Sequence, residues 1–170
     1  MIDKRPRTTI AALVVSASAL VGIAINENYT DTAIIPTKND RPTVGFGSTF
    51  REDGSPVQMG DRIQPPQALA RTLAHIQKDE AGLKRCVTAP LSQIEYDVEV
   101  DFAYQYGIPK LCASTMVREA NAGNYEASCK GYLLYKTSGG FDCSIPGNKI
   151  CAGVWARNQA RYRKCIGEGT

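Results

Sequence analysis

Glu27 closes an uncharged, largely apolar run and stands just ahead of a stretch with turn and strand character. That stretch reads Asn26-Glu27-Asn28-Tyr29-Thr30-Asp31, then Ile34-Ile35-Pro36-Thr37-Lys38-Asn39-Asp40-Arg41-Pro42-Thr43-Val44-Gly45-Phe46-Gly47-Ser48-Thr49. A carboxyl at the edge of apolar surface holds its proton closer to neutral pH, because desolvation penalises the charged form. Such a group suits proton donation to a leaving atom. The hydroxyls of Thr37 and Thr43 in this stretch can both donate and accept hydrogen bonds. Asp40 and Asp31 are further carboxylates in the same stretch. Each also has an ordinary reading: Glu27 as a helix-end surface carboxylate, Thr43 as a β-branched strand former, Asp40 as a turn residue.

Other chemistries are poorly supplied. The single histidine, His75, lies mid-helix among polar neighbours, which leaves no partner for a Ser or Cys nucleophile. No phosphate-cradling glycine loop ending in Gly-Lys-Ser/Thr occurs. The cysteines form no C-x-x-C pair, so neither a metal nor a cofactor is expected. With 20 Lys and Arg against 17 Asp and Glu, the net charge of +3 is too weak to argue for nucleic acid. A chain of 170 residues that is 43% hydrophobic and 22% charged excludes a disordered, collagenous or polytopic membrane protein.

The elements that must position these residues follow from pattern. Ala33–Gly47 reads as a β-hairpin, with turn chemistry at Lys38-Asn39-Asp40. Gly54–Gly60 is loop. Pro65-Pro66 opens a helix in which Ala68, Leu69, Leu73, Ile76 and Leu83 recur at helical spacing. A second helix spans Leu91–Tyr106, with Ile94, Val98, Phe102 and Gln105 on one face, and Gly107 stops it. Shorter helices are expected at Ser114–Asn121 and Asn124–Lys136. A loop through Gly139-Gly140, Pro146 and Gly147 precedes a last helix, Val154–Cys165. In that helix Arg157, Arg161, Arg163 and Lys164 read as a basic face without acids.

The N-terminus reads as an address. Lys4, Arg5 and Arg7 flank Thr8–Ile25, eighteen residues without charge. A basic flank before an apolar run is an export signal. Ten of the eighteen are Ala, Gly, Ser or Thr, so such a helix inserts with a small margin. It reads as a cleaved signal peptide, a permanent anchor or a releasable signal anchor. All six cysteines follow it, which points to three disulfides in an oxidising compartment. Cys143–Cys151 closes a short loop, and Cys112–Cys129 and Cys86–Cys165 would nest outside it.

The stretch around Glu27 resembles the phage-type lysozymes, the endolysins of glycoside hydrolase family 24. Their mark is a Glu ending the first helix, followed by a hairpin whose return strand matches Thr43-Val44-Gly45-Phe46-Gly47. Tyr104-Gln105-Tyr106-Gly107, Ser114-Thr115-Met116-Val117-Arg118 with Asn121-Ala122-Gly123, and Gly153-Val154-Trp155-Ala156-Arg157 resemble later segments of the family, in order. The resemblance covers residues 15–167.

It implies an α+β, mainly α, lysozyme-like fold with a small β-hairpin lobe and a larger helical lobe. It implies an enzyme that hydrolyses the β-1,4 bond between MurNAc and GlcNAc in peptidoglycan, with Glu27 as general acid and Thr43 holding the attacking water. The usual family pattern has Asp six residues before the strand threonine, where this sequence has Thr37. Thr37, Asp40 or Asp31 then completes the site. Alternatives are a lytic transglycosylase on the same bond, or an inactive wall-binding protein of the same fold. The family's first helix packs into the helical lobe, and here Val15–Ile25 must build it. Residues 1–25 are therefore expected to be a releasable signal anchor and 26–170 the catalytic domain. The chain would be a monomer, tethered to the host inner membrane through residues 8–25 and then soluble in the periplasm.

Overall fold

The computed structural model describes residues 5–36 and 40–168. The chain divides into two compact units: residues up to Val14 together with the chain from Ala81 on, and Val15–Glu80 between them. The architecture is mainly helical α+β.

The unit Val15–Glu80 holds the hairpin. Its first helix, α1, runs Ala17–Glu27 and places Glu27 at its last position. Ser16 caps it, its Oγ accepting from the Ala19 N–H at 3.1 Å. The expected helix Val15–Ile25 is thus displaced by two residues toward Glu27, and α1 groups with the hairpin rather than with the later helices. The start of the apolar run is not helical with it: Thr8 pairs with Leu91, and Ile10–Ala12 forms a 3-10 turn. Among the described residues no helix is long and apolar enough to cross a membrane.

Strand β1 (Thr30–Ile34) pairs antiparallel with β2 (Thr43–Gly45), in a register that opposes Thr30 to Gly45 and Ile34 to Thr43. The far side of β1 binds the chain near Arg62, where Ala33 N–H donates to Asp61 and Ile63 N–H to Asp31. Ala33, Val44, Val57, Ile63 and Ala68 form the apolar centre, with Tyr29 and Phe46 packed on it. Gly45 is required there. Its φ is +68°, and a Cβ would stand 2.9 Å from the Ala68 Cβ.

Helix α2 (Pro65–Cys86) continues from this unit into the next. Ala68, Thr72, Ile76, Glu80 and Leu83 are buried, at the three- and four-residue intervals of one helical stripe. Leu69, expected on that stripe, is largely exposed.

In the helical unit, α3 (Gln93–Tyr106) starts with a capping box between Ser92 and Glu95. It is buried nearly all round, through Tyr96, Val98, Glu99, Val100, Phe102 and Ala103, not on one face as expected. Helix α4 (Ile108–Cys112) follows where no element was expected. Ser114 caps α5 (Thr115–Asn121), and α6 (Tyr125–Gly131) ends early in a 3-10 turn, Tyr132–Leu134. A small hairpin follows, β3 (Thr137–Ser138) with β4 (Phe141–Asp142), where only loop was expected. Helix α7 spans Ala152–Cys165.

Two expectations are corrected. Cys143–Cys151 forms as expected, but the other bridges are Cys86–Cys112 and Cys129–Cys165. The end of α2 lies directly on α4: a Cβ on Gly82 would sit 2.8 Å from the Ile108 side chain, which brings Cys86 to Cys112. Cys129 on α6 faces the end of α7. Nor is α7 a free basic face. Arg157 and Arg161 turn inward onto Asp101 at 2.8 and 2.5 Å, and Arg161 is 2% exposed. Burial on its own raises the Asp101 carboxyl, but the two guanidinium groups hold it below its ordinary value. Arg163 and Lys164 alone keep an outward basic character.

Candidate active site

The site is built where α1 ends and the hairpin returns. Asn28 closes α1 with φ at +56° and is the one non-glycine with positive φ among the described residues. Such backbone costs about 1–3 kcal/mol and persists where the surroundings hold it. Here the next residue is held: the Tyr29 hydroxyl donates to the Ile63 carbonyl at 2.7 Å, and its ring lies 5.4 Å from Phe46. The last helical turn and its carboxylate are therefore fixed to the hairpin.

On the other side, β2 runs into a tight turn. Val44 and Ser48 exchange backbone hydrogen bonds of 3.0 and 3.1 Å around Gly45-Phe46-Gly47. Gly47 has φ at +76°, and a Cβ built there would meet Glu27 Oε2 at 3.3 Å. The Glu27 carboxylate thus lies over the bare face of Gly47. Thr43, half-buried, opens the strand that carries this turn. Glu27 meets the motif Thr43–Gly47 at its last residue, Gly47.

The remaining candidates fall elsewhere. Asp31 is exposed and engaged: Arg62 donates to Oδ2 at 3.2 Å and the Thr32 hydroxyl to Oδ1. These contacts hold its carboxyl below the ordinary range. Asp40 is exposed in the turn, its Oδ1 accepting from the Arg41 N–H at 2.9 Å. Thr37 lies outside the described residues. His75 faces Asp79 at 3.4 Å on α2.

Three features escaped the sequence reading. The contact between Gly47 and Glu27 is one, although Gly47 was part of the motif. The Tyr29 clamp is another; its signal was an aromatic just after Glu27 and a second aromatic, Phe46, on the return strand. The third is Arg51, which donates twice to Asp61 at 2.7 Å and braces the loop after β2. With the Gln58 N–H, this pair lowers Asp61 to about 2. Arg51, Asp61, Arg62, Arg71, Glu52, Asp53 and Val44 line an open polar cavity of about 360 Å³, which neither Glu27 nor Thr43 lines.

The downstream segments have structural tasks in the helical unit. Asn121 accepts from the Thr88 and Ala89 N–H groups at 2.8 and 3.1 Å and donates to the Cys86 carbonyl. Asn158 donates to the Tyr106 hydroxyl and the Tyr135 carbonyl.

The chain and its fold have known relatives. Residues 25–161 match the family model described as phage lysozyme. The chain is 31% identical over 98 residues to the endolysin of Salmonella phage P22, covering 58% of this chain and 67% of that one. It is similar in structure to an endolysin from Escherichia coli O157:H7 phage FAHEc1, with TM-score 0.78 and 26% identity over 92% of this chain and 95% of the other. A P22 lysozyme variant shares the fold at TM-score 0.76 and 23% identity, over 91% and 99% of the two chains. The hairpin with its glutamate and the helical unit behind Asp101 are thus a lysozyme-like fold, and the chain belongs to the phage lysozyme family, a family of glycoside hydrolases.

Proposed function

We propose that the protein is an exported endolysin, a muramidase that hydrolyses the β-1,4 bond between MurNAc and GlcNAc in bacterial peptidoglycan, acting as a monomer in host lysis. The observation that carries this reading is the seating of the Glu27 carboxylate over Gly47, beside the strand that Thr43 opens. Glycoside cleavage needs an acid to protonate the leaving oxygen and a group on the opposite face of the sugar to handle water. Glu27 serves as the acid and the Thr43 hydroxyl holds the water. Thr37, Asp40 or Asp31, the last paired with Arg62 at the surface, assists Thr43.

Glu27 as the carboxylate seated at Gly47 also favours a second reading. With one carboxylate at the bond, the muramic acid hydroxyl itself attacks, as in a lytic transglycosylase. Mass spectrometry of products from purified peptidoglycan separates the two. Reducing MurNAc ends support hydrolysis, 1,6-anhydro-MurNAc ends support transglycosylation, and no products at all refute both.

Export through residues 8–25 is part of the proposal. The basic flank and the weakly apolar run of eighteen residues support a signal anchor that holds the chain at the inner membrane and then releases it into the periplasm. While the run lies in the bilayer, most of α1 is held in lipid and not beside the hairpin, and Glu27 is not seated.

A further inference from the structure

The first residues of the chain are built into the helical unit. Arg7 forks onto Glu95, with Nε at 3.0 Å from Oε2 and an Nη at 2.6 Å from Oε1. Its guanidinium also stacks 3.6 Å above the Tyr125 ring. Arg5 reaches the Lys164 and Cys165 carbonyls at the end of α7, and its guanidinium lies 3.8 Å from Glu95. There it meets carbonyls of the last helical turn, where Lys164 also accepts from the Gly167 N–H at 3.0 Å. Thr8 and Leu91 exchange backbone hydrogen bonds of 2.9 and 3.0 Å. Leu13 is 5% exposed, and the Val14 carbonyl accepts from Gln93.

The receiving site is specific. Glu95 is 4% exposed, caps α3 through the Ser92 N–H and hydroxyl, and takes its cationic partners among these contacts from the N-terminal arm. Tyr125 is held by its hydroxyl on the Pro90 carbonyl. The same arginines are the basic flank of the export run, and Thr8 is its first residue. A helix across the bilayer from Thr8 needs the backbone groups that now pair with Leu91, so docked arm and inserted segment exclude one another.

We propose that the Glu95–Tyr125 site is a latch for the arginine-bearing arm, and that docking of Arg5–Val14 there draws the chain out of the membrane and keeps it out. This rests on the membrane stage proposed above. The latch supplies what a weakly apolar anchor alone lacks, a soluble state that competes with lipid. Bidentate pairing to a buried carboxylate and a stacked guanidinium are the strong forms of these contacts.

Variants on the receiving side test it without touching the export segment. The full chain is expressed, membranes are separated from soluble periplasm, and the membrane-to-soluble ratio is measured at steady state. Glu95→Gln keeps the α3 cap and removes the charge. It should raise the ratio about tenfold or more, since a buried charge pair broken on one side loses at least that factor. Tyr125→Leu should act in the same direction, and carries the test if Glu95→Gln does not fold. Circular dichroism of the soluble fraction checks folding. Wild-type chain found at the membrane, with both variants partitioning as wild type does, overturns the latch. Wild-type chain never found at the membrane overturns the membrane stage and the latch with it.

Discussion

Replacing Glu99 by Gln should stabilise the helical unit in a strongly pH-dependent way. Glu99 lies inside α3 at 2% exposure, and its Oε2 has no hydrogen-bond partner among the described residues. Burial, with the neighbouring Glu95 charge second, pushes its carboxyl from 4.5 up to about 8. Tyr132, also fully buried, faces the same region, and its hydroxyl is raised by burial and by Glu99. A carboxyl whose folded pKa exceeds its unfolded one binds more protons when folded. Stability therefore falls as pH rises from about 4.5 to about 8, and this group adds no slope outside that window. At about 1.4 kcal/mol per pH unit, the loss reaches about 3 kcal/mol at pH 7 and about 5 kcal/mol by pH 8. For a domain held by about 5–15 kcal/mol, that is a large share. Gln has the shape of the protonated acid and cannot ionise. The gap in unfolding free energy between Glu99→Gln and wild type, from denaturant titrations at pH 4.5, 6, 7 and 8, should widen by roughly that amount. The difference in Tm at pH 7 should exceed that at pH 4.5 by roughly 6–12 °C. A gap that does not change between pH 4.5 and pH 8 would mean that Glu99 is not held protonated in the folded chain.

Three other perturbations bear on the site and its frame. Gly47→Ala places a methyl 3.3 Å from Glu27 Oε2 at a φ of +76°, so it should lower turnover at least about tenfold while reducing stability by only about 1–2 kcal/mol; wild-type turnover in a lysis assay would break the link between Gly47 and Glu27. Asp101→Asn leaves Arg157 and the buried Arg161 without their carboxylate and should destabilise the fold by about 3–5 kcal/mol in urea unfolding; a loss below about 1 kcal/mol contradicts the inward reading of α7. Non-reducing peptide mapping should recover Cys86–Cys112, Cys129–Cys165 and Cys143–Cys151. Removing the first pair as Cys86→Ser with Cys112→Ser should lower stability by about 2–4 kcal/mol.

The sequence was legible where a local pattern sets the structure. The helix from Pro65, the helix expected from Leu91 and found from Gln93, and the helix opening at Ser114 follow from proline placement and three-to-four spacing, which act within a turn or two. Glu27 stood out by its place between the apolar run and the hairpin, and the Thr43–Gly47 strand by its resemblance to the phage-type lysozymes. What escaped depends on packing between distant segments. The disulfide partners follow from how α2 meets α4 and how α6 meets α7, and no spacing rule contains that. The arginines of α7 looked like a solvated face because they outnumber acids locally; their acid, Asp101, is on another helix. A signal was present nonetheless: Asn158, Arg161 and Cys165 lie at three- and four-residue intervals, and the buried cysteine marks that stripe as inward. The arm hid in a segment that reads as an export signal, whose basic residues have a second use in the folded chain.

The seating of Glu27 as the proton donor is tested most directly by the release of reducing ends from purified peptidoglycan by Glu27→Gln, with wild type alongside and circular dichroism of both. Gln keeps the shape over Gly47 and cannot give up a proton to the leaving oxygen. A folded Glu27→Gln protein should release reducing ends at least about a hundredfold more slowly than wild type. Release within a few-fold of wild type would contradict the account.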